Sequence, residues 1–263
     1  MLYHMSLKPV NIYEAGVNLI GESARLRNFD LPTEVSLDAI GEIDSGAVVL
    51  DIGAGSNTTL GEIVREKGGE YIAFDRNQSF LSLQRSAGAR VIYGDARQLP
   101  FEHDSFDITH MRFVLAHLAQ DKQSVIQQAM DITKHRGEVV FIEYDWTTAH
   151  GSDAFNDMRD LFISSMLFDA AYGSKLEADV RNTISDSDTA VLVSRNSAPK
   201  MFDYSQILTL REAANKDLAI QQVKPALIQS CNDMFDQLQQ ESEQETPPGF
   251  YFPDFVTVRL TKP

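Results

Sequence analysis

Apolar and polar positions alternate in blocks along the middle of the chain, from Ala47 to Trp146. The run Ala47-Val48-Val49-Leu50 is continuously apolar, with Ser45-Gly46 before it and Gly53 after it. A strand covered on both faces, as in a parallel sheet, has this pattern because neither side meets water. Tyr71-Ile72-Ala73-Phe74, Arg90-Val91-Ile92-Tyr93, Phe106-Asp107-Ile108-Thr109-His110 and Val139-Val140-Phe141-Ile142 predict four further strands. Between them come apolar sets spaced as on one helix face: Leu60, Ile63 and Val64; Phe80, Leu81 and Leu83; and Val125, Ile126, Ala129 and Ile132 within a segment from Asp121 to Lys134. Five strands separated by crossovers predict an α/β fold, a doubly wound, mostly parallel sheet of Rossmann-like type with helices on both faces.

The flanks read differently. Residues 1–46 are expected to be helical, with Val10, Ile12, Val17, Leu19 and Ile20, then a second segment opened by Asp30-Leu31-Pro32-Thr33 and continued by Val35, Leu37, Ile40 and Ile43. After Trp146 the alternation stops. A helix is expected over residues 152–171, with Phe155, Met158, Leu161, Phe162, Met166 and Leu167 inward; Ala190-Val191-Leu192-Val193 reads as a sixth strand; residues 204–244 read as mostly helical. Phe255-Val256-Thr257-Val258-Arg259-Leu260 alternates as an edge strand does. The expected division is an N-terminal helical segment (1–46), an α/β core (47–150), a mostly helical insertion (151–246) and a last strand returning to the sheet (247–263).

Composition narrows the classes of function. Of 263 residues, 43% are hydrophobic and 23% charged, as in a folded chain, and the formal charge is −15. Such an excess of acid argues against a protein that neutralises many phosphates, so neither nucleic acid nor an anionic membrane is an expected partner. Cys231 is the only cysteine, which leaves no disulfide framework and no cysteine-based zinc cluster, and it is expected to pack as a small apolar side chain on a helix. His103 and His110 have no recognisable metal spacing, so no metal is expected. Met1 to Ile20 carry polar and charged residues throughout, unlike a signal peptide, and no window approaches a membrane span; a cytoplasmic monomer or homodimer is expected.

The candidate chemistry lies at strand ends. Asp51-Ile52-Gly53-Ala54-Gly55-Ser56-Asn57 follows the first buried strand and precedes a helix. In open α/β sheets this turn is where a nucleotide-like ligand sits, and glycines let the backbone approach it. Asp75, about twenty residues on, ends the second strand, where a carboxylate can accept both hydroxyl protons of a ribose or cap the next helix. Asp95 follows the third strand and can accept from an adenine amino group or close a turn. Three acids at successive strand ends are expected to converge on one crevice.

This series resembles the class I S-adenosylmethionine-dependent methyltransferases: Val48 to Asn57, Phe74-Asp75, Gly94-Asp95-Ala96, Phe106 to Leu118, and Gly137 to Trp146. It is most similar to their small-molecule branch, which shares Arg112-Phe113-Val114-Leu115 with His117-Leu118, the Glu143, Asp145, Trp146 pattern and Glu22-Ser23-Ala24-Arg25-Leu26. The resemblance implies S-adenosylmethionine as cofactor, with Asp51, Gly53 and Gly55 under its methionine part, Asp75 at the ribose, Asp95 and Ala96 at the adenine, Met111 and Arg112 beside the amino-acid end, and Arg76 also among the cofactor-binding residues. Where the family commonly has a third glycine, Asn57 stands; its side chain either crowds the turn or adds a hydrogen bond.

The resemblance also implies methyl transfer to an oxygen or nitrogen of a small or mid-sized organic acceptor. Such an acceptor must be held in line and, where needed, deprotonated. His117, one helical turn beyond Phe113 on a helix expected to leave the fourth strand and with an unperturbed pKa near neutrality, and Glu143 and Asp145 are the candidate bases. Tyr13 and Arg25 are candidates to close over the cofactor. Phe155, Met158, Phe162, Met166, Phe168, Tyr172, Met201, Phe202 and Tyr204 suit an apolar acceptor pocket in the insertion and suit core packing equally. Two other readings stay open: a cofactor-binding protein of this fold with a different reaction, and an NAD(P)-dependent oxidoreductase.

Overall fold

The computed structural model describes residues 31–118, 120–165, 168–184, 189–196, 225–243, 251 and 253–263. The expected roles of Tyr13, Arg25, Met166, Met201, Phe202 and Tyr204 lie outside these residues, as do those of the Phe162 and Cys231 side chains. Seven strands form one sheet: β1 (Val48–Ile52), β2 (Glu70–Asp75), β3 (Arg90–Tyr93), β4 (Phe106–Arg112), β5 (Thr133–Asp145), β6 (Ala190–Asn196) and β7 (Asp254–Thr261). The helices are α1 (Leu31–Ile40), α2 (Thr59–Glu66), α3 (Gln78–Ser86), α4 (Lys122–Ile132), α5 (Asp153–Ser165), α6 (Gly173–Thr183) and α7 (Pro225–Ser242).

The strand order is β3-β2-β1-β4-β5-β7-β6. The first five strands are parallel, and β7 runs antiparallel to both β5 and β6. Because side chains alternate along a strand, Val49 enters one core and Leu50 the other. Val49, Ala73, Val140 and Ile142 pack under α1, α2, α5 and α7 residues such as Val35, Leu60, Phe155 and Phe235. Leu50, Ile52, Phe74 and Phe141 pack under Val125, Ile126 and Ala129 of α4 and Leu176 and Val180 of α6.

Two expectations are corrected here. β7 is interior, and β6 takes the edge, with Leu192 62% exposed. The polar residues that made β7 look half-solvated are absorbed by the fold: Thr257 is buried, and Arg259 pairs with Glu138 and lies against Gly41. The other correction follows β4, where a helix is expected from sequence. Only a 3-10 turn, Leu115–His117, forms there, and the segment 121–134 yields α4 while Thr133 and Lys134 already belong to β5.

Crossovers run outward from β1 in one direction and from β4 in the other, so the strand order reverses between these two neighbours. That reversal opens a crevice at the carboxyl ends of the strands. The glycine turn after β1 stands at it.

Candidate cofactor and acceptor site

The turn after β1 is built around two left-handed glycines, Gly53 with φ 70° and Gly55 with φ 59°. Gly53 N and Ala54 N both donate to Phe74 O, at 2.7 and 3.2 Å. Gly55 N donates to Asp75 Oδ2 at 2.9 Å, and Asn77 N to Asp75 Oδ1 at 2.8 Å. A Cβ on Gly53 would stand 2.4 Å from Val114 Cγ2, so glycine is required there by crowding as well as by φ. A Cβ on Gly55 would meet nothing nearer than Gly53 O at 3.9 Å, which leaves open space beside the turn. Burial raises the pKa of Asp75, against the pull of the Asn77 and Gly55 N–H groups.

Asn57, in place of a third glycine, adds hydrogen bonds. Its Oδ1 accepts from Thr59 N at 3.0 Å at the start of α2, and its Nδ2 donates to Thr33 Oγ1 of α1 at 3.3 Å. Gln84 of α3, fully buried, donates Nε2 to the carbonyls of Gly55 and Asn57 at 3.1 and 2.9 Å. Sequence reading missed Gln84, whose only signal was a polar residue on the buried face of a helix. The Ser56 hydroxyl, also buried, has no hydrogen-bond partner among the described residues. An open flank and an unsatisfied hydroxyl in one glycine turn fit a polar ligand.

The three strand-end acids meet different partners. Asp51 lies on Val49's face, its Oδ1 2.8 Å from His110 Nδ1 and its Oδ2 accepting from the Tyr71 hydroxyl at 2.6 Å. Burial works to raise its pKa, but His110 beside it and the hydrogen bonds from His110 and Tyr71 outweigh burial and hold it low. Asp95 is ion-paired with Arg97, whose backbone N–H also donates to it, and these bonds bring it to about 2. Only Asp75 is joined directly to the glycine turn. His110, which had no recognisable metal spacing in sequence, contacts Asp51 and Ser36.

The residues after β4 and β5 divide by face. The Met111 side chain is buried in the core under α4 and α6, so only its backbone is on the crevice side of that packing. Arg112 Nη1 donates to Ser36 Oγ at 3.2 Å. Phe113 adopts φ 57° and stacks on Tyr144, ring centroids 3.9 Å apart. Glu143, 1% exposed, accepts from Ala116 N at 3.2 Å and so anchors the Leu115–His117 turn. Burial pushes its pKa up to about 8, against the N–H groups of Ala116, Leu115 and Val114 and the Lys122 charge. Asp145 accepts from Thr147 N at 3.3 Å and pairs with Arg195 at 3.4 Å. His117 is exposed, its ring centroid 4.9 Å from that of Phe168. The protein around it, then the Arg76 charge, lowers its pKa and favours the neutral imidazole; water on its open side screens part of the shift. Arg76 is exposed, and Ala96 half-buried.

Among the described residues no group of histidines, cysteines and acids could hold a metal ion, and no helix is long and apolar enough to cross a membrane.

Solved structures share this architecture. The phosphoethanolamine N-methyltransferase 2 of Haemonchus contortus, in complex with S-adenosyl-L-methionine, superposes with a TM-score of 0.62 at 15% identity, over 97% of this chain and 60% of that one. The (4+2)-cyclase SpnF superposes with a TM-score of 0.59 at 14% identity, over 89% and 80%. The fold is that of the class I methyltransferases. Within it, residues 50–141 match the family described as a methyltransferase domain. The ubiquinone/menaquinone biosynthesis C-methyltransferase of Idiomarina loihiensis is 27% identical over 132 residues, 46% of this chain and 51% of that protein. The demethylmenaquinone methyltransferase of Renibacterium salmoninarum is 31% identical over 114 residues, 43% and 47%. The chain spans about half the length of the curated relatives it matches.

Proposed function

We propose that this chain is an S-adenosylmethionine-dependent methyltransferase acting on a small or mid-sized organic molecule. The observation that carries the reading is the bond from Gly55 N to Asp75 Oδ2, which fixes an open glycine turn and a strand-end carboxylate together at the reversal of strand order. The match of residues 50–141 to a methyltransferase domain supports it. In this reading the Gly53–Asn57 backbone holds the amino-acid end of the cofactor, Asp75 accepts from the ribose hydroxyls, and Arg76, Asp95 and Ala96 border the adenine. When bound, the cofactor supplies an electrophilic methyl group.

The chain then has to orient the acceptor, exclude water and manage a proton. His117 is the base we assign, because its imidazole is exposed on a turn beside the glycine turn and is favoured in the neutral form. Glu143 and Asp145 have their carboxylates engaged by the backbone of the 3-10 turn and by Thr147 and Arg195, so we assign them to holding the site. The quinone-related relatives make a cyclic acceptor the first to try. A cytoplasmic place, in keeping with a single cysteine, and a monomeric or dimeric state belong to the same proposal.

A (4+2)-cyclase has the same fold, so binding and transfer are tested separately. Calorimetry with S-adenosylmethionine and S-adenosylhomocysteine is expected to show binding of both; no heat with either at high micromolar concentration removes the reading. Incubation with methyl-labelled cofactor and a panel of phenols, quinols and amines is expected to label at least one acceptor.

A further inference from the structure

Beneath the glycine turn lies a buried polar chain that no step of the proposed reaction uses. Asp51 on β1, Tyr71 on β2, His110 on β4 and Ser36 on α1 are 4%, 2%, 0% and 0% exposed. His110 stands at its centre. One ring nitrogen, Nδ1, is 2.8 Å from Asp51 Oδ1; the other, Nε2, is 3.2 Å from Ser36 Oγ. Arg112 Nη1 donates to the same Ser36 oxygen at 3.2 Å, and the Tyr71 hydroxyl donates to Asp51 Oδ2 at 2.6 Å. A neutral imidazole with its proton on Nδ1 satisfies the whole set: Arg112 donates to Ser36, Ser36 to His110, and His110 and Tyr71 to Asp51.

A parallel link joins the same two elements. Thr33, 6% exposed, accepts from Asn57 Nδ2 at 3.3 Å. Thr33 and Ser36 are three residues apart and so share one face of α1. Both buried hydroxyls of that face therefore end on the glycine turn or on the strands that carry it. A wholly apolar interface would dock α1 with less desolvation, but it would not tie the helix to particular backbone and carboxylate positions.

We infer that His110 is a positioning residue, joining α1 to the glycine turn so that docking of α1 and occupancy of the turn form one coupled equilibrium. The inference rests on the reading of that turn as the cofactor site. Coupling of this kind is reciprocal: a ligand at the turn tightens α1 by the same factor by which docked α1 tightens the ligand. His110 touches neither cofactor nor acceptor in this scheme and acts through Asp51, Ser36 and the strand that bears it.

The test is hydrogen exchange of the amides of α1 and of residues 53–57, with and without S-adenosylhomocysteine, alongside its Kd and the Tm. In the wild type the ligand is expected to protect both segments. Ser36→Ala keeps the His110–Asp51 contact and cuts the bond to α1. It is expected to leave the turn protected, reduce the added protection of α1 to what the Thr33–Asn57 bond alone carries, and raise Kd about fivefold, the lower end of the range for coupled sites. His110→Asn, whose side-chain amide can still donate to Asp51, is expected to behave like Ser36→Ala, whereas a merely structural role would lower Tm and leave the ligand-induced protection of α1 intact. Wild-type affinity and wild-type protection of α1 in both variants overturn the inference. A wild type that binds no S-adenosylhomocysteine removes the cofactor reading instead, and the coupling is then read without ligand. Faster exchange at residues 53–57 in Ser36→Ala and Thr33→Val upholds it, and unchanged exchange there overturns it.

Discussion

Gly53 carries two constraints at once, a positive φ and a neighbour, Val114, in the space a side chain would take. Gly53→Ala is therefore expected to cost about 2 kcal/mol or more, from strain in the left-handed region and overpacking together. Urea unfolding measures it, and a loss under about 0.5 kcal/mol, the range of a neutral surface change, would contradict the reading. Asp75 differs, because burial has already raised its pKa. Asp75→Asn should leave the fold intact and weaken cofactor binding by about 1.5–3 kcal/mol, the worth of a hydrogen bond to a charged group; calorimetry gives the number. Glu143 sets a pH dependence. The unfolded chain releases this proton near 4.5 and the folded one holds it to about 8, so the stability from its protonated form is complete below about pH 4.5 and lost as pH rises through about 8. Glu143→Gln is expected to flatten that decline, seen as Tm against pH from 5 to 9, and to be the more stable protein at the alkaline end. Glycine and acid positions were legible in the sequence, but their partners were not, since a carboxylate at a strand end looks the same whether it meets a ligand, as proposed for Asp75, or an arginine, as Asp95 does.

At the scale of elements, the parallel strands were legible because burial on both faces leaves an apolar run with no polar beat. β7 was misread because its polar beat is real but its polar side chains are absorbed: Thr257 is buried and Arg259 pairs with Glu138. Its interior place predicts an unequal response to substitution. Val256→Ala, fully buried in β7, should cost about 1–3 kcal/mol through the lost burial and the cavity left, whereas Leu192→Ala on β6 should fall within about 0.5 kcal/mol. Denaturation of the two variants side by side decides which strand is the edge. The turn after β4 was read as helix because Phe113, Leu115 and His117 are sequence-compatible with one. Phe113 instead takes φ 57°, and Glu143, 27 residues from Ala116 in no local pattern, receives the Ala116 N–H.

For the whole molecule, any ligand that binds only the folded chain must stabilise it. S-adenosylhomocysteine at a hundred times its Kd is expected to add about 2.7 kcal/mol, read as a concentration-dependent rise in Tm. The sequence by itself determined the order of strands and helices, the glycine turn and the family it resembles, because periodicity and φ-permissive residues are local properties. Only the tertiary structure decided that β7 lies inside the sheet, that Asp51 turns to His110 while Asp75 holds Gly55, and that α1 is bonded to the glycine turn. Those outcomes depend on which residues meet across gaps of about twenty to more than a hundred positions, and such meetings are set by packing of the whole sheet and its helices, which no local pattern encodes.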